Sequence, residues 1–291
     1  MSGVRETALV LDCDGEQLVS VISTPATLSA EVGVLIVVGG PQYRVGSHRQ
    51  FVLLARALSD AGIACMRFDV RGMGDSAGDA RDFEHLQRDI EVAVDAFMRH
   101  APGLSGVVLW GLCDGASAAC FHAANDPRVA GLVLLNPWDR SEEGHARTVL
   151  RHYYLNRLMD RQFWKKLLGG QVGIGASIRG FLRLAGRSRQ AKDAPAEAVG
   201  PLPERMLAGV CARKRPALVI LSGRDYVARE FDGLVSSDAG WRAWMADTRV
   251  TVERLDDADH TFSSAPWRDL VSQLTERWVR SIWTSPEATS R

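Results

Sequence analysis

Short apolar runs alternate with amphipathic stretches along most of this chain. The run from Val34 to Val38 is uninterrupted, as is typical of a strand covered on both faces of a sheet. Residues 49 to 61, 83 to 100 and about 266 to 282 place apolar side chains at helical spacing and predict helices. Further strands are predicted at residues 8–13, 17–22, 63–68, 106–110, 129–135, 217–221 and 250–255. The alternation predicts an α/β protein with a mostly parallel, eight-stranded sheet flanked by helices.

One long stretch interrupts this alternation. About seventy residues without a strand separate two buried strands, which is too many for a loop, and Tyr153, Tyr154 and Leu158 lie near helical spacing within it. We therefore expect an inserted helical lid at residues 139–211 in a core formed by residues 1–138 and 212–291. The return linker is predicted at Pro195, Pro201 and Pro203.

Composition excludes several classes of protein. Lys and Arg total 35, as do Asp and Glu, so the net charge points to no nucleic-acid partner. The first residues lack the apolar segment of a secretory signal, and no apolar run approaches the roughly 20 residues that span a bilayer. The five cysteines have no paired or metal-like spacing, and Cys13, Cys65 and Cys120 are predicted to be buried. A reducing, cytoplasmic setting is expected.

The most informative motif is Gly111-Leu112-Cys113-Asp114-Gly115. It has the spacing of the G-x-S-x-G nucleophile elbow, with cysteine in the place of serine. An apolar predicted strand precedes it and a small-residue, helix-forming stretch follows it, which is the strand–turn–helix context that the elbow requires. Cys113 is therefore the predicted nucleophile.

Several motifs together resemble the α/β-hydrolase superfamily over nearly the whole chain. They occur in that family's order at residues 38–41, 68–76, 111–115, 221–225 and 259–262. The resemblance implies the α/β-hydrolase fold. More narrowly, residues 40–44, 47–51 and 111–117 resemble the exosortase A system-associated hydrolases of type 1. That bacterial group is associated with exopolysaccharide and protein-sorting gene clusters, whose neighbours include acyl-activating and acyl-carrier proteins.

The base and the acid follow from the order nucleophile, acid, base. His260 follows the last strand and is the predicted base, while Asp225 lies just past the seventh strand and is the predicted orienting acid. Asp225 also fits a simple turn residue. The competing residues are His48, His122, Asp257 and Asp259. The glycine-rich loop at residues 69–76 is predicted to be structural.

The oxyanion hole requires two backbone N–H groups. Asp114, directly after the nucleophile, supplies one, and its side chain is interpreted as a helix-start residue. Val38 replaces the histidine that relatives carry in the other loop. Alignment with the family's Gly-Gly-Pro variant assigns the second N–H to Gly40, with Gln42 as the fallback.

The predicted lid carries the information about substrate. Residues 139–192 hold twelve Lys and Arg against four Asp and Glu, a net charge of +8 in a neutral chain. This charge favours an anionic partner such as coenzyme A or acyl-carrier protein, but a solvated helix face or a helix lying on an anionic membrane also explains it. Candidate contacts to the anionic partner are Arg179, Arg183 and Arg187, and candidate pocket residues are Tyr43, His48, Trp138, Tyr153 and Tyr154.

These features predict a hydrolase that cleaves a thioester or ester through a Cys113 acyl-enzyme. One alternative is an acyltransferase that moves an acyl group from coenzyme A or acyl-carrier protein to an alcohol or amine. Another is a binding module without catalysis. The predicted chemistry uses a small acyl substrate, no metal and no cofactor.

Overall fold

A single eight-stranded sheet organises the protein. The computed structural model describes residues 4–40, 42–139 and 200–284. The strands are β1 Arg5–Cys13, β2 Glu16–Thr24, β3 Val32–Val37, β4 Cys65–Phe68, β5 Gly106–Leu112, β6 Val129–Leu135, β7 Ala217–Ser222 and β8 Val250–Leu255. Their spatial order is β1-β2-β4-β3-β5-β6-β7-β8; β2 runs antiparallel to both neighbours and the remaining pairs are parallel. The predicted eight-stranded, mostly parallel sheet is confirmed.

Helices follow most of the parallel strands. In the described ranges they are α1 Gln50–Asp60, α2 Gln87–His100, α3 Asp114–Asn125, α4 Leu202–Cys211, α5 Tyr226–Ser237, α6 Ala239–Met245 and α7 Ala265–Thr284. The helix predicted from residue 83 is divided, because a 3-10 turn at Phe83–His85, capped by the Asp82 side chain, precedes α2. Helix α1 begins one residue late because Arg49 has a φ of 62°. No helix in the described part of the chain has the length and apolarity needed to span a membrane.

Helix α4 revises the predicted boundary of the lid. Residues 1–139 and 203–291 form one compact unit, so residues 203–211 group with the core and the return boundary at 211 is wrong. The backbone at Gly209 approaches α3 so closely that a Cβ there would lie 2.4 Å from the carbonyl oxygen of Cys120. Pro203 stands in the first turn of α4, where its missing N–H costs no helical hydrogen bond. Residues 140–199, and the lid predicted there, lie outside the described residues.

The sheet's central strands are fully buried, as their uninterrupted apolar sequences predict. Every residue of β3, β5 and β7 is buried. Phe51 of α1 packs edge-on against Trp110 of β5 with 5.7 Å between ring centroids, and the Trp110 indole donates a hydrogen bond to Thr275 of α7. Cys13, Cys65 and Cys120 are buried free thiols, as predicted. Because β5 to β8 are parallel, their carboxyl ends meet at one edge of this rigid sheet.

Candidate active site

Cys113 occupies a sharp turn between β5 and α3. Its φ of 58° and ψ of −125° form a conformation that costs a non-glycine residue free energy and persists only when its surroundings enforce it. The Cys113 N–H donates to the carbonyl oxygen of Leu135 on β6 at 2.9 Å, and its carbonyl oxygen accepts from Ala116 at 3.0 Å. The nucleophile elbow predicted from the motif is therefore present in the backbone.

The two glycines of the motif permit close backbone packing. A Cβ added at Gly115 would lie 2.5 Å from the carbonyl oxygen of Val37, and one added at Gly111 would lie 2.4 Å from the carbonyl oxygen of Gly115. Both distances are well inside van der Waals contact. The motif's spacing is thus explained by the approach of β3 and β5 to the start of α3.

Asp225 and His260 come together beside the elbow's edge of the sheet. Asp225 is the N-cap of α5, where its carboxylate accepts hydrogen bonds from the N–H groups of Val227 and Ala228, each at 3.2 Å. Its other neighbour is His260, whose Nδ1 lies 2.8 Å from Oδ2 of Asp225. With Asp225 ionised, this bond places the ring proton on Nδ1 and leaves Nε2 as the proton acceptor.

The competing histidines have other neighbours than Asp225. His122 is buried on α3 with Nε2 3.2 Å from the carboxylate of Asp126, and burial lowers the pKa of its imidazole. His48 is exposed in the short turn before α1. His48 lies close enough to Asp259 to interact with it, but the histidine bonded to Asp225 is His260.

The competing carboxylates are also accounted for. Asp259 accepts hydrogen bonds from the backbone and hydroxyl of Ser263, which hold the loop after β8. Asp257 is exposed to solvent. Asp225 is the carboxylate bonded to the predicted base.

Asn136 supports the histidine loop and was missed by the sequence analysis. It is fully buried, and its amide donates to the hydroxyl of Ser222 at 2.9 Å and to the carbonyl oxygen of His260 at 3.1 Å. Its own oxygen accepts from the Ser222 N–H at 2.9 Å. Asn136 therefore connects the ends of β6 and β7 to His260. The signal available in the sequence was an asparagine directly after an apolar run that predicts a buried strand.

The environment of Cys113 favours the neutral thiol. Burial raises the pKa of Cys113 well above its ordinary value, and the negative charges of Asp114 and Asp225 raise it further, against a hydrogen bond from the Asp114 N–H. The amino end of α3 and a neighbouring histidine would each favour a thiolate at Cys113. Burial and the two carboxylates outweigh the helix end.

The side chain of Asp114, one residue of the predicted oxyanion hole, packs against Gly40, the other. Burial raises the pKa of the Asp114 carboxyl, although hydrogen bonds from the N–H groups of Gly40, Gly115 and Asp114 itself oppose this shift. Gly115 N lies 3.1 Å from Oδ1 of Asp114. The fallback donor, Gln42, carries a buried side-chain oxygen without a hydrogen-bond partner among the described residues. Both the loop that contains Gly40 and the start of α3 therefore lie at the elbow of Cys113.

Among the predicted pocket residues, Trp138 lies beside the nucleophile. Its N–H donates to the carbonyl oxygen of Cys113 at 3.3 Å, and its carbonyl oxygen accepts from the hydroxyl of Ser117 at 2.5 Å. Tyr43 is 46% exposed and His48 is exposed as well. Five further candidates lie outside the described residues: Tyr153, Tyr154, Arg179, Arg183 and Arg187.

The loop after β4 has a structural role, as predicted. Asp69 is fully buried and accepts hydrogen bonds from the backbone of Arg44 at 2.5 Å and of Asp75 at 3.0 Å. The hydroxyl of Ser76 donates to the carbonyl oxygen of Asp69 at 2.8 Å and accepts from Val19 at 2.8 Å. These contacts hold the loop against β2 and the segment after β3.

Comparison with known proteins supports this architecture. The family described as "Serine aminopeptidase, S33" matches residues 33–174, which is just under half of the chain. The esterase Pf2001 of Pyrococcus furiosus superposes with a TM-score of 0.63 at 15% identity, over 96% of this chain and 94% of the esterase. Dienelactone hydrolase from Anabaena variabilis superposes with a TM-score of 0.60 at 17% identity, over 96% and 98% of the two chains. The chain therefore has the α/β-hydrolase fold.

One curated relative matches a shorter stretch. The polyketide transferase grgF from a Penicillium species is 32% identical over 88 residues, which are 29% of this chain. The matched stretch spans 30% of the length of that protein.

Proposed function

We propose that this chain of α/β-hydrolase fold is an acyl hydrolase that cleaves a thioester or ester through a covalent Cys113 acyl-enzyme. The observation that carries the proposal is the 2.8 Å hydrogen bond between His260 and Asp225, at the sheet edge where Cys113 stands on its strained elbow. If His260 were only a core residue, or Asp225 only a turn residue, the two would not need to be hydrogen-bonded to each other at that edge. The arrangement fits the general pattern of nucleophile, base and orienting acid.

Each residue then has a definite role. Nε2 of His260 takes the thiol proton as Sγ of Cys113 bonds to the acyl carbon, and the carbonyl oxygen becomes an oxyanion held by the N–H groups of Gly40 and Asp114. The protonated imidazole, stabilised by Asp225, gives its proton to the departing thiolate or alkoxide. His260 next deprotonates a water that attacks the acyl-enzyme. The products are the free acid and the restored Cys113 thiol.

Cysteine in the elbow favours activated acyl donors. A thioester intermediate lies close in energy to a thioester substrate, so its formation costs little when the donor is itself a thioester. The resemblance of residues 40–44, 47–51 and 111–117 to the exosortase-associated group agrees with such a donor. The esterase of Pyrococcus furiosus, which shares the fold, agrees with acyl hydrolysis.

Acyl transfer is the second candidate. An alcohol or amine that reaches the Cys113 acyl-enzyme before water does would receive the acyl group. The partial match to a polyketide transferase favours this outcome.

An anionic carrier is the proposed partner. The basic residues at 139–192 would attract coenzyme A or an acidic carrier protein to a cytoplasmic enzyme. Charge reversal at Arg179, Arg183 and Arg187 tests the idea, since it should raise KM for the carrier-bound substrate and weaken its salt dependence. An unchanged KM and salt dependence would contradict a carrier contact there, and binding of the wild type to anionic vesicles would point to a membrane surface.

Intact-mass analysis after mixing with panels of acyl-CoA and acyl-carrier donors tests the proposed chemistry. We expect an acyl adduct that Cys113→Ala abolishes and Cys211→Ala retains, since Cys211 is the exposed cysteine of the described chain. Decay of the adduct in buffer indicates hydrolysis, whereas decay that requires an alcohol or amine indicates transfer. No adduct and no turnover with any donor would contradict the enzyme and favour the alternative of a binding module without catalysis.

A further inference from the structure

The side chain of Asp114 packs against the loop that carries Gly40, the second proposed oxyanion donor. A Cβ added at Gly39 would lie only 2.1 Å from Oδ1 of Asp114, and one added at Gly40 would lie 3.4 Å from Oδ2. The carboxylate is therefore packed directly against the backbone of the loop after β3. The absence of side chains at these two glycines makes the space for it.

The carboxylate also uses the hydrogen-bond donors of the proposed oxyanion hole. The N–H groups of Gly40 and Asp114 both act on it, together with the N–H of Gly115. An oxyanion hole stabilises negative charge by presenting oriented N–H groups in a site with little water. An ionised carboxylate on those donors is a negatively charged oxygen acceptor, as is the oxyanion of the tetrahedral intermediate. The two cannot be bound at once.

The charge of Asp114 also acts on the nucleophile. It opposes ionisation of Cys113, as does the charge of Asp225, and His260 in the loop after β8 is the titratable neighbour of Asp114. The glycine pair of the facing loop contributes only backbone N–H groups. While its carboxylate stays on those N–H groups, Asp114 both occupies the hole and disfavours the thiolate.

We propose that Asp114 is a built-in occupant of the oxyanion hole, which keeps Cys113 a neutral thiol until the carbonyl oxygen of an acyl substrate replaces the carboxylate on the N–H groups of Gly40 and Asp114. This inference rests on the proposed function, because it assigns the order of events at the same site. Asp114 acts as a positioning residue. Its carboxylate leaves the donors by side-chain rotation, and the nucleophile is released only when an acyl group is present.

The rate of Cys113 alkylation by iodoacetamide, measured by mass spectrometry across pH, tests the inference without any acyl donor. Asp114→Asn keeps the shape and the hydrogen-bond acceptor but removes the charge. We expect alkylation of Cys113 at pH 7 to rise about tenfold and the midpoint of its pH profile to fall by about one unit. Asp257→Asn, which removes an exposed carboxylate from the histidine loop, is the matched control and should leave both unchanged.

The wild type supplies a test that does not depend on the folding of a variant. A neutral resting thiol predicts an alkylation rate that is low at pH 5–7 and climbs steadily above pH 8. A high plateau at pH 5–7, typical of a preformed thiolate–imidazolium pair, would overturn the proposal, as would an unchanged profile in a folded Asp114→Asn protein.

Turnover separates this inference from the proposed function. With a thioester substrate, Asp114→Asn should lower KM several-fold because the neutral amide competes less for the hole. An acyl adduct on Cys113 combined with an unchanged alkylation profile and KM would refute the occupant and leave the hydrolase intact. A shifted profile without any adduct would support the effect of Asp114 on Cys113 but refute the hydrolase, and with it the replacement of the carboxylate by an acyl oxygen.

Discussion

Asp225 joins two tasks through one carboxylate, because it caps α5 through the N–H groups of Val227 and Ala228 and holds Nδ1 of His260 at 2.8 Å. The hydrogen bonds of the helix cap hold the Asp225 carboxylate in position independently of its contact with His260. The imidazole is then oriented by a group that cannot rotate away without losing the cap. This relationship explains why the sequence signals of a turn residue and of the proposed orienting acid fall on the same residue.

Replacing Asp225 with Asn should separate these two tasks. Asparagine caps a helix about as well as aspartate, so the free energy of unfolding should change by less than about 0.5 kcal/mol. It cannot stabilise the imidazolium, so kcat/KM for a thioester should fall roughly 10²–10⁴-fold. Asp238→Asn at the cap of α6 is the control, since it changes a cap with no histidine. Equal activity of the two variants would contradict the triad.

Asn136→Ala should weaken both the fold and the site. It leaves the buried Ser222 N–H without its partner, removes the donor to the Ser222 hydroxyl and frees the carbonyl oxygen of His260. Urea unfolding should report a loss of about 1–3 kcal/mol, and kcat should fall while the thioester still binds. Asn125→Ala, at the exposed end of α3, is the comparison. A stable variant with full kcat would show that the loop of His260 keeps its conformation without Asn136.

Gly115→Ala should destabilise the protein because its Cβ would meet the carbonyl oxygen of Val37 at 2.5 Å. The backbone of β3 must shift, at a cost of about 1–3 kcal/mol. Gly233→Ala in α5 is the matched control, since its Cβ meets nothing within 4 Å. That variant should gain up to about 1 kcal/mol from helix propensity. Thermal unfolding of both proteins measures the contrast; equal shifts would contradict the packing argument.

The pH dependence of stability should contain a contribution from Asp126. Burial opposes its ionisation, but hydrogen bonds from the side chain and N–H of Arg128 outweigh burial and lower the pKa of Asp126 from 3.8 to about 2. A folded pKa below the unfolded one stabilises the protein above pH 4, and this stabilisation disappears as pH falls from about 4 to 2. Asp126→Asn should therefore cost about 1–2 kcal/mol at pH 7 and little at pH 2.

The more exposed partner of Arg128 provides the comparison for that prediction. Asp95 also pairs with Arg128, but its side chain is 42% exposed. Asp95→Asn should lose at most about 1 kcal/mol at pH 7. Urea unfolding at several pH values distinguishes the two; equal losses at pH 7 would contradict a special role for the buried carboxylate.

Much of the fold was readable because its signals are local. The uninterrupted apolar run at Val32–Val37 and the motif around Cys113 each require particular residues in adjacent positions. Helices α5 and α6 were missed because turn residues such as Gly233 and Asp238 interrupt their pattern, while Phe231 and Trp241 pack edge-on across the break. Helix α4 was assigned to the lid because its prolines indicated a linker.

The sequence by itself indicated the strands along the chain, the elbow at Cys113 and the pair Asp225 and His260, since each follows a buried strand at a fixed point of the motif order. Tertiary structure alone decided what surrounds them. Asn136 reaches His260 across three parallel strand ends, and the Asp114 carboxylate faces Gly40 from another segment. Such contacts join residues far apart in the chain, and the charge and burial that they impose on Cys113 depend on the folded arrangement of all of them.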